Sequence, residues 1–250
     1  VFLAVLAAGL YEVRVRRQAA QARAEAPTAA DMTALIERSR PGFARVIDPK
    51  AHAIIRRISP ELDRVEQQVK LEMNLSPGEL VDFSKLHGDS PLGEGASQAQ
   101  IEQESMWIAL SRRVFDALES EVELADELAS IRHLPREVRD LEIPPSQFFG
   151  TVLPHLAGSR KVTRYLGSRM LEAVERGDIE RAASTLETIF AIGEACRVQP
   201  LLIEVLVGWA IESFGRDHAR QWLLSLPTRE EVDAIERAIP PAVDPAQAVL

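Results

Sequence analysis

The region that most constrains the fold is residues 153–224, which contain the longest apolar segments of the chain and the clearest helix-ending signals. This pattern predicts three consecutive helices. The first ends at Gly177, because glycine favours the position just after the last turn of a helix. Asp178 can cap the second, because aspartate favours the N-cap position. The second continues to about Arg197, and the third begins near Pro200, whose missing N–H suits a first helical turn. We therefore expect residues 153–224 to form the core of a helical bundle.

Composition limits the possible partners. The 250 residues carry a formal net charge of −9, with an isoelectric point near 5.2. Such a charge disfavours nonspecific attraction to nucleic acid, so no nucleic-acid partner is expected. Cys196 is the only cysteine, which excludes an internal disulfide. Because it falls on an apolar helix, we expect an inert core thiol.

The chain opens on VFLAVLAAGLY, an apolar run that is followed by basic residues. Eleven residues span about 16 Å as a helix, roughly half the hydrocarbon core of a bilayer. The run is interpreted as the last part of a longer membrane anchor, with the tail of a signal peptide and an ordinary buried helix as alternatives. The residues assigned to the anchor are Val1, Phe2, Leu3, Val5, Leu6, Leu10 and Tyr11.

Three arginines, Arg14, Arg16 and Arg17, follow the predicted anchor. At the level of the lipid headgroups they can contact anionic lipid. Taken alone they favour a cytoplasmic body, although the rule compares two flanks and only one is present in the sequence. The alanine-rich segment that follows predicts that the anchor continues into an exit helix, which Pro27 interrupts.

The predicted fold class is all-α: an irregular helical bundle, or an array of helical hairpins, with a partial transmembrane helix at its N-terminal end. Ser59 and Pro60 predict a helix start. The Gly-, Ser- and Pro-rich residues 76–98 predict a flexible surface connection. The expected organisation is an anchor and exit helix over residues 1–26, helical segments and a flexible loop over 27–96, the bundle core over 97–240 and a frayed tail over 241–250.

Three patterns organise the second half of the chain outside the core trio. A broad apolar stripe predicts one long helix over residues 97–130, with a solvated acidic outer face. Residues 133–154 contain four prolines and are expected to be largely extended or turned. After Pro227, Thr228 and Glu231 fit a capping box at the start of a short final helix.

The third helix of the core trio is apolar nearly all round, which predicts a central, buried position. Its glycines, Gly208 and Gly215, would allow a neighbouring helix to approach closely. Glu204 and Glu212 are candidate buried acids on this helix. Two carboxylates in different environments can divide acid and base roles, but pairing with arginines is favoured because buried carboxylates need partners. The arginines considered are Arg160, Arg164 and Arg169 of the first helix.

The sequence contains none of the common catalytic or ligand-binding motifs. The sequence has no HExxH, CxxC or GxSxG, and neither a calcium-loop nor a phosphate-loop pattern. The histidines are widely separated, and each is interpreted as a surface or capping residue in preference to a ligand. They are His52, His87, His133, His155 and His218. No catalytic residue, metal site or cofactor is therefore predicted.

One family resemblance is visible in the run from Trp107 to Trp222. The segments LPHLAGSRKVTRYL, EAVERGDIERAASTLETIFAIGEA and QPLLIEVLVGWAIES resemble uncharacterised bacterial proteins that have an N-terminal membrane anchor and an all-helical body. The shared pattern consists of helix-packing positions and glycine turns, and it covers somewhat less than half of the chain. The resemblance implies a single-pass protein of the bacterial inner membrane with its body on the periplasmic side, opposite to the placement that the arginines favour. It supplies no catalytic residues.

Three functions are compatible with these observations. The leading hypothesis is a non-enzymatic, membrane-anchored helical scaffold or accessory subunit, whose partners are the lipid bilayer and other protein subunits of a membrane assembly. The second is a hydrolase or lyase that uses Glu204, Glu212 and a histidine in a helical cavity. The third is a helical sensor or ligand-binding module, which requires a sizeable pocket between the helices.

Overall fold

The computed structural model describes residues 44–46, 48–76, 81, 83–86, 97–139, 145–199, 201–225 and 227–240. All of them belong to one compact unit, Phe43–Ala248. The predicted anchor, its three arginines and the predicted tail lie outside the described residues. Among the helices that are described, none is both long and apolar enough to cross a membrane.

The described part of the chain is all-α apart from two three-residue strands, which confirms the predicted class. The strands pair in parallel, with Arg45 opposite Val138, and the first three helices connect them. Short 3₁₀ turns occupy Phe83–Leu86 and Ile131–His133. The other elements are β1 (Ala44–Val46), α1 (Lys50–Glu72), α2 (Gln98–Glu119), α3 (Val122–Ser130), β2 (Glu137–Arg139), α4 (Pro145–Glu175), α5 (Ile179–Arg197), α6 (Leu202–Leu224) and α7 (Arg229–Ala238).

The junctions between the three central helices, α4, α5 and α6, lie close to where the sequence predicts them. Gly177 has a φ of +71°, and the Asp178 side chain accepts a hydrogen bond from the Arg181 N–H. This turn joins α4 and α5 into a helical hairpin. The close approach predicted for Gly208 is confirmed, because a Cβ there would lie 2.6 Å from both the Arg197 nitrogen and the Gly193 oxygen of α5.

The buried apolar side chains form two clusters. The larger cluster joins α1, α2, α4, α5 and α6, with Phe115 and Tyr165 among its largest fully buried members. The smaller cluster joins the second half of α4 and the first half of α5 to α6 and α7, around Met170 and Trp222. The helices α4, α5 and α6 therefore contribute to both cores and together form the centre of the bundle.

Three predicted boundaries are wrong. The helix predicted to start at Ser59 starts at Lys50, so Pro60 lies inside α1. The helix predicted over residues 97–130 is broken at Ser120, whose Oγ donates to the Ala117 carbonyl and competes with the helical ladder. The segment predicted to be extended up to Pro154 is helical from Pro145, because tertiary packing can override the local preference of proline.

The Thr228 capping box is confirmed: the Thr228 Oγ1 accepts from the Glu231 N–H, and the Glu231 carboxylate accepts from the Thr228 N–H. Ser97 caps α2 in the same way with Gln100. Within the predicted flexible connection, Phe83 is buried and its carbonyl accepts a hydrogen bond from the Ser168 hydroxyl. His87, in the same connection, lies outside the described residues.

Candidate functional site

A buried polar cluster lies where four elements of the bundle meet. It comprises His52 of α1, Arg139 of β2, His155 of α4 and Glu204 of α6. No more than 4% of any of these residues is exposed, and Glu204 has no exposed surface. Because arginine and glutamate are almost never fully buried unless they are paired, the internal contacts of the cluster must hold it in place.

Backbone contacts position Arg139 in this cluster. The Gln199 side chain clamps β2, since its Nε2 donates to the Glu137 carbonyl (3.0 Å) and its Oε1 accepts from the Arg139 N–H (2.8 Å). The Glu137 carboxylate accepts from the Lys50 N–H (2.7 Å), at a helix start where Pro49 offers no side-chain cap. These contacts fix β2 between the start of α1 and the end of α5.

The hydrogen bonds of Arg139 define the tautomers of the two histidines. Its Nη2 lies 3.2 Å from the Nδ1 of His52 and 3.4 Å from the Nδ1 of His155, and the two rings stack with centroids 4.4 Å apart. Because arginine only donates, both Nδ1 atoms accept, which places the proton of each neutral ring on Nε2. The Nε2 of His155 lies 3.2 Å from the Oε1 of Glu204, and the Arg139 Nη2 lies 3.6 Å from the same oxygen.

The surroundings of His52 keep its ring neutral. Burial is the largest cause that lowers its pKa well below the usual value, and the neighbouring His155 ring and Arg139 guanidinium lower it further, while a backbone contact with Ala195 opposes them. The cluster also contains one guanidinium, of Arg139, and one carboxylate, of Glu204, and these opposite charges offset each other, as burial requires.

Two histidines and a carboxylate are also a common donor set for a divalent transition metal. Ligand atoms of His52, His155 and Glu204 lie within 4.8 Å of one another. The Arg139 guanidinium, however, donates to both histidines and pairs with the carboxylate, so a cation already occupies the centre of the set. A divalent ion would add two positive charges beside the guanidinium against a single carboxylate, which disfavours a metal site. The network is nevertheless incomplete, because the Nε2 of His52 and both carboxylate oxygens of Glu204 are buried without a hydrogen bond from the described residues.

Cys196 lies beside the cluster and is buried, in agreement with the predicted inert thiol. Burial raises the pKa of this thiol to about 12, and the weak hydrogen bond to Ser159 only partly opposes that effect. The thiolate needed for nucleophilic chemistry is therefore not formed near neutral pH.

Glu212, the second candidate acid, lies in a different place from Glu204. Its Oε1 accepts from the Arg197 Nε (2.7 Å) at the floor of a groove with a volume of about 460 Å³. The groove is bounded by the segment after α3, by α5, by α6 and by the end of α7. Its charged lining residues are Arg132, Arg136, Arg197, Arg216, Arg237, Glu187, Glu194 and Glu212.

The two candidate acids therefore do not share a cavity. Glu204 is closed off from solvent in the polar cluster, and Glu212 lines the groove. Their predicted partners on α4 are wrong as well: Arg160 and Arg164 are exposed, and Arg169 faces Glu119, 3.4 Å away. Tyr165 also donates to that carboxylate (2.6 Å). Glu119 belongs to the acidic outer face predicted for residues 97–130, and in the structure its side chain is only 20% exposed and packs against α4 instead of being solvated.

The interpretation of His52 and His155 as surface or capping residues is wrong, since both are only 1% exposed. His52 lies in the apolar run HAII, which could have indicated burial. Nothing in the spacing of His52, Arg139 and Glu204 along the chain indicates that they meet, because contacts between residues so far apart depend on the tertiary fold.

The prediction that α6 is buried all round is also wrong. One side contacts α5 through Gly208, but the other side presents an apolar stripe to solvent, which we call the α6 stripe. Leu202 is 71% exposed, and the other members are between 44% and 46% exposed. The α6 stripe consists of Leu202, Ile203, Leu206 and Trp209.

Comparisons with protein-family models, with curated proteins and with solved structures found no match to this chain.

Proposed function

We propose that this protein is a non-enzymatic, membrane-anchored helical scaffold or accessory subunit of a larger membrane-associated assembly. The observation that carries the proposal is the exposed α6 stripe. Scattered apolar side chains are ordinary on a protein surface, but a contiguous group of large ones on a single helix is typical of an interaction site.

The spacing of the α6 stripe fits one kind of partner. Leu202, Leu206 and Trp209 are spaced by four and three residues, as in the apolar seam that one helix offers to another. The same spacing continues through exposed Ser213 to Arg216. We therefore propose that an amphipathic helix of another subunit binds to the α6 stripe. Its residues that face the first half of α6 would be apolar, and those that face Arg216 would be acidic.

The placement in the membrane rests on the sequence. The apolar opening run and the resemblance to anchored bacterial proteins support a single-pass inner-membrane protein with its body on the periplasmic side. An anchor holds the body near other membrane proteins, which raises the effective concentration of a partner without any new contact. A modest apolar stripe can then be sufficient for stable association.

The hydrolase or lyase alternative has less support, because Glu204 is enclosed and Glu212 is already paired with Arg197. A specific observation favours the ligand-binding alternative: the groove beside Glu212 has a volume within the usual range of small-molecule sites. The four apolar residues of the α6 stripe do not line the groove, so a ligand bound there would compete with the partner helix only at Arg216.

The proposal can be tested with the tagged protein expressed at its native level and extracted with a mild detergent. The wild-type chain is expected to elute as part of a larger complex. Leu206→Glu places a charge in the stripe and is expected to release the partner, while Leu71→Glu, at an exposed leucine on α1, should leave the complex intact. A monodisperse wild-type monomer would contradict the proposal. Loss of membrane association by Leu206→Glu with an unchanged complex would show that the stripe contacts lipid instead.

A further inference from the structure

The groove beside Glu212 collects positive charge on a protein that is acidic as a whole. Five arginines and three glutamates line it, which leaves a formal excess of two positive charges, whereas the whole chain carries −9. The arginines come from four separate parts of the chain, so the fold brings them together where the sequence shows no basic run. Charges lining a concave surface focus the local potential, which makes such a groove attractive to an anion.

The arginines differ in how strongly the protein itself engages them. Arg197 is held at the floor by its 2.7 Å contact with Glu212, and Arg136 pairs with Glu194 at 3.0 Å. Arg237 makes no ion pair with a residue that the structure describes. These differences separate arginines that build the groove from arginines that can bind a ligand.

Arg216 belongs with Arg237 in the second group. Its closest carboxylate oxygen, on Glu212, is 3.9 Å away, and its guanidinium lies 5.9 Å from the centre of the Phe190 ring. Arg216 and Arg237 are both exposed, on α6 and α7. Arg132 is only partly exposed and already donates to the histidine that follows it in the chain. Arg216 and Arg237 are therefore the two guanidinium groups of the groove with donors most available to a bound anion.

The groove also has an apolar side. Phe190, Ala191, Ala238, Ile239 and Pro240 line it together with the charged residues. A ligand that is anionic at one end and apolar at the other would pair with the arginines and cover this apolar surface, as in small-molecule sites that combine an apolar lining with a few charged groups.

We propose that this groove binds a small organic phosphate monoester, with its phosphate between Arg216 and Arg237 and its apolar part against the side formed by Ala238 and Ile239. A phosphate monoester carries about −1.5 to −2 charges near neutral pH, which matches the formal excess of two. Arginine forms bidentate contacts with phosphate oxygens, and two arginines can engage three of them. The net charge of the chain opposes a long polyanion such as nucleic acid, so the ligand is a compact anion.

The proposal is tested by titrating the whole chain with 1-naphthyl phosphate and following its fluorescence. Saturable binding is expected for wild type, with 1-naphthol, which lacks the phosphate, binding at least tenfold more weakly. Arg237→Gln and Arg216→Gln should each weaken binding of 1-naphthyl phosphate about tenfold, because each removes a charge-assisted hydrogen bond. Arg229→Gln, an exposed arginine on α7 outside the groove, is the matched control and should bind like wild type.

Three results would overturn the proposal. Wild type could show no saturable binding at millimolar 1-naphthyl phosphate, or 1-naphthol could bind equally well. Arg229→Gln could also lose as much affinity as Arg237→Gln, which would mean that net charge and not the groove governs binding. Since Arg216, Arg229 and Arg237 are all exposed, the three variants are expected to retain the wild-type far-ultraviolet circular dichroism, which checks that the comparison is between folded proteins.

Discussion

Glu204 and Arg139 are expected to stabilise the fold only as a pair. At a separation of 3.6 Å and an effective dielectric constant near 20, their Coulomb attraction is about 4.6 kcal/mol. Both side chains are at most 3% exposed, so neither can regain water while the protein stays folded. Removing either member leaves the other as an unpaired buried charge, and the expected cost to the free energy of unfolding is about 3 to 5 kcal/mol.

The perturbation is a double-mutant cycle with Glu204→Gln and Arg139→Met. Glutamine keeps the size of the glutamate side chain while removing its charge, and methionine would fill most of the volume of the arginine stem. Each single variant should lose about 3 to 5 kcal/mol. The double variant should lose clearly less than the sum of the two, with an interaction energy of about 3 kcal/mol, because it leaves no unpaired charge.

Urea denaturation followed by circular dichroism measures these free energies, and tryptophan fluorescence, to which Trp222 of the second core contributes together with Trp107 and Trp209, reports tertiary structure. If the single variants prove too unstable to fold, the double variant should still fold, which keeps the cycle informative. Additive losses, or single-variant losses below about 1 kcal/mol, would refute the account of a charge-balanced cluster.

Two further predictions concern the same helices. The pKa of His52 is lower in the folded than in the unfolded state, so below pH about 6.5 the unfolded chain binds a proton that the folded chain does not. As the pH falls from about 6.5 to the folded pKa, the free energy of unfolding should decrease by up to about 1.4 kcal/mol per pH unit. In His52→Gln, the free energy of unfolding should depend less steeply on pH over this range. Gly208→Ala should lose about 1 to 3 kcal/mol because its Cβ would lie 2.6 Å from backbone atoms of α5, whereas exposed Ser213→Ala should stay within about 0.5 kcal/mol of wild type in the same assay.

Local signals predicted those features of the fold that depend on local chemistry. Gly177 and Asp178 mark a helix junction because one needs a positive φ and the other caps an N-terminus. Thr228 and Glu231 mark a helix start because each satisfies a backbone amide of the other. These requirements extend over four residues or fewer, so the order of residues is sufficient to show them.

Features that depend on tertiary packing could not be read in the same way. Pro60 and Pro145 both suit a first helical turn, but only Pro145 is found there, because packing of α1 extends that helix back to Lys50. Glu204 was expected to need a partner, and the fold supplies it from Arg139, which lies on a three-residue strand that no periodicity indicates.

The exposed α6 stripe and the arginines of the groove had the weakest signals in the sequence. The α6 stripe and the buried side of the same helix are both apolar, so hydrophobicity could not separate the face that packs on α5 from the face that meets solvent. The groove arginines lie between Arg132 and Arg237, more than a hundred residues apart, in a chain with excess negative charge. Only the bundle geometry places them on one surface.

The most direct test of the scaffold proposal is the size of the native complex in three forms of the protein: wild type, Leu206→Glu and Leu71→Glu. Each form is extracted in mild detergent, and its mass is measured by size-exclusion chromatography with light scattering. We predict one larger complex for wild type and Leu71→Glu, and a shift of Leu206→Glu towards the mass of the isolated chain. Equal masses for all three forms, or a wild-type monomer, would contradict a partner helix on the α6 stripe.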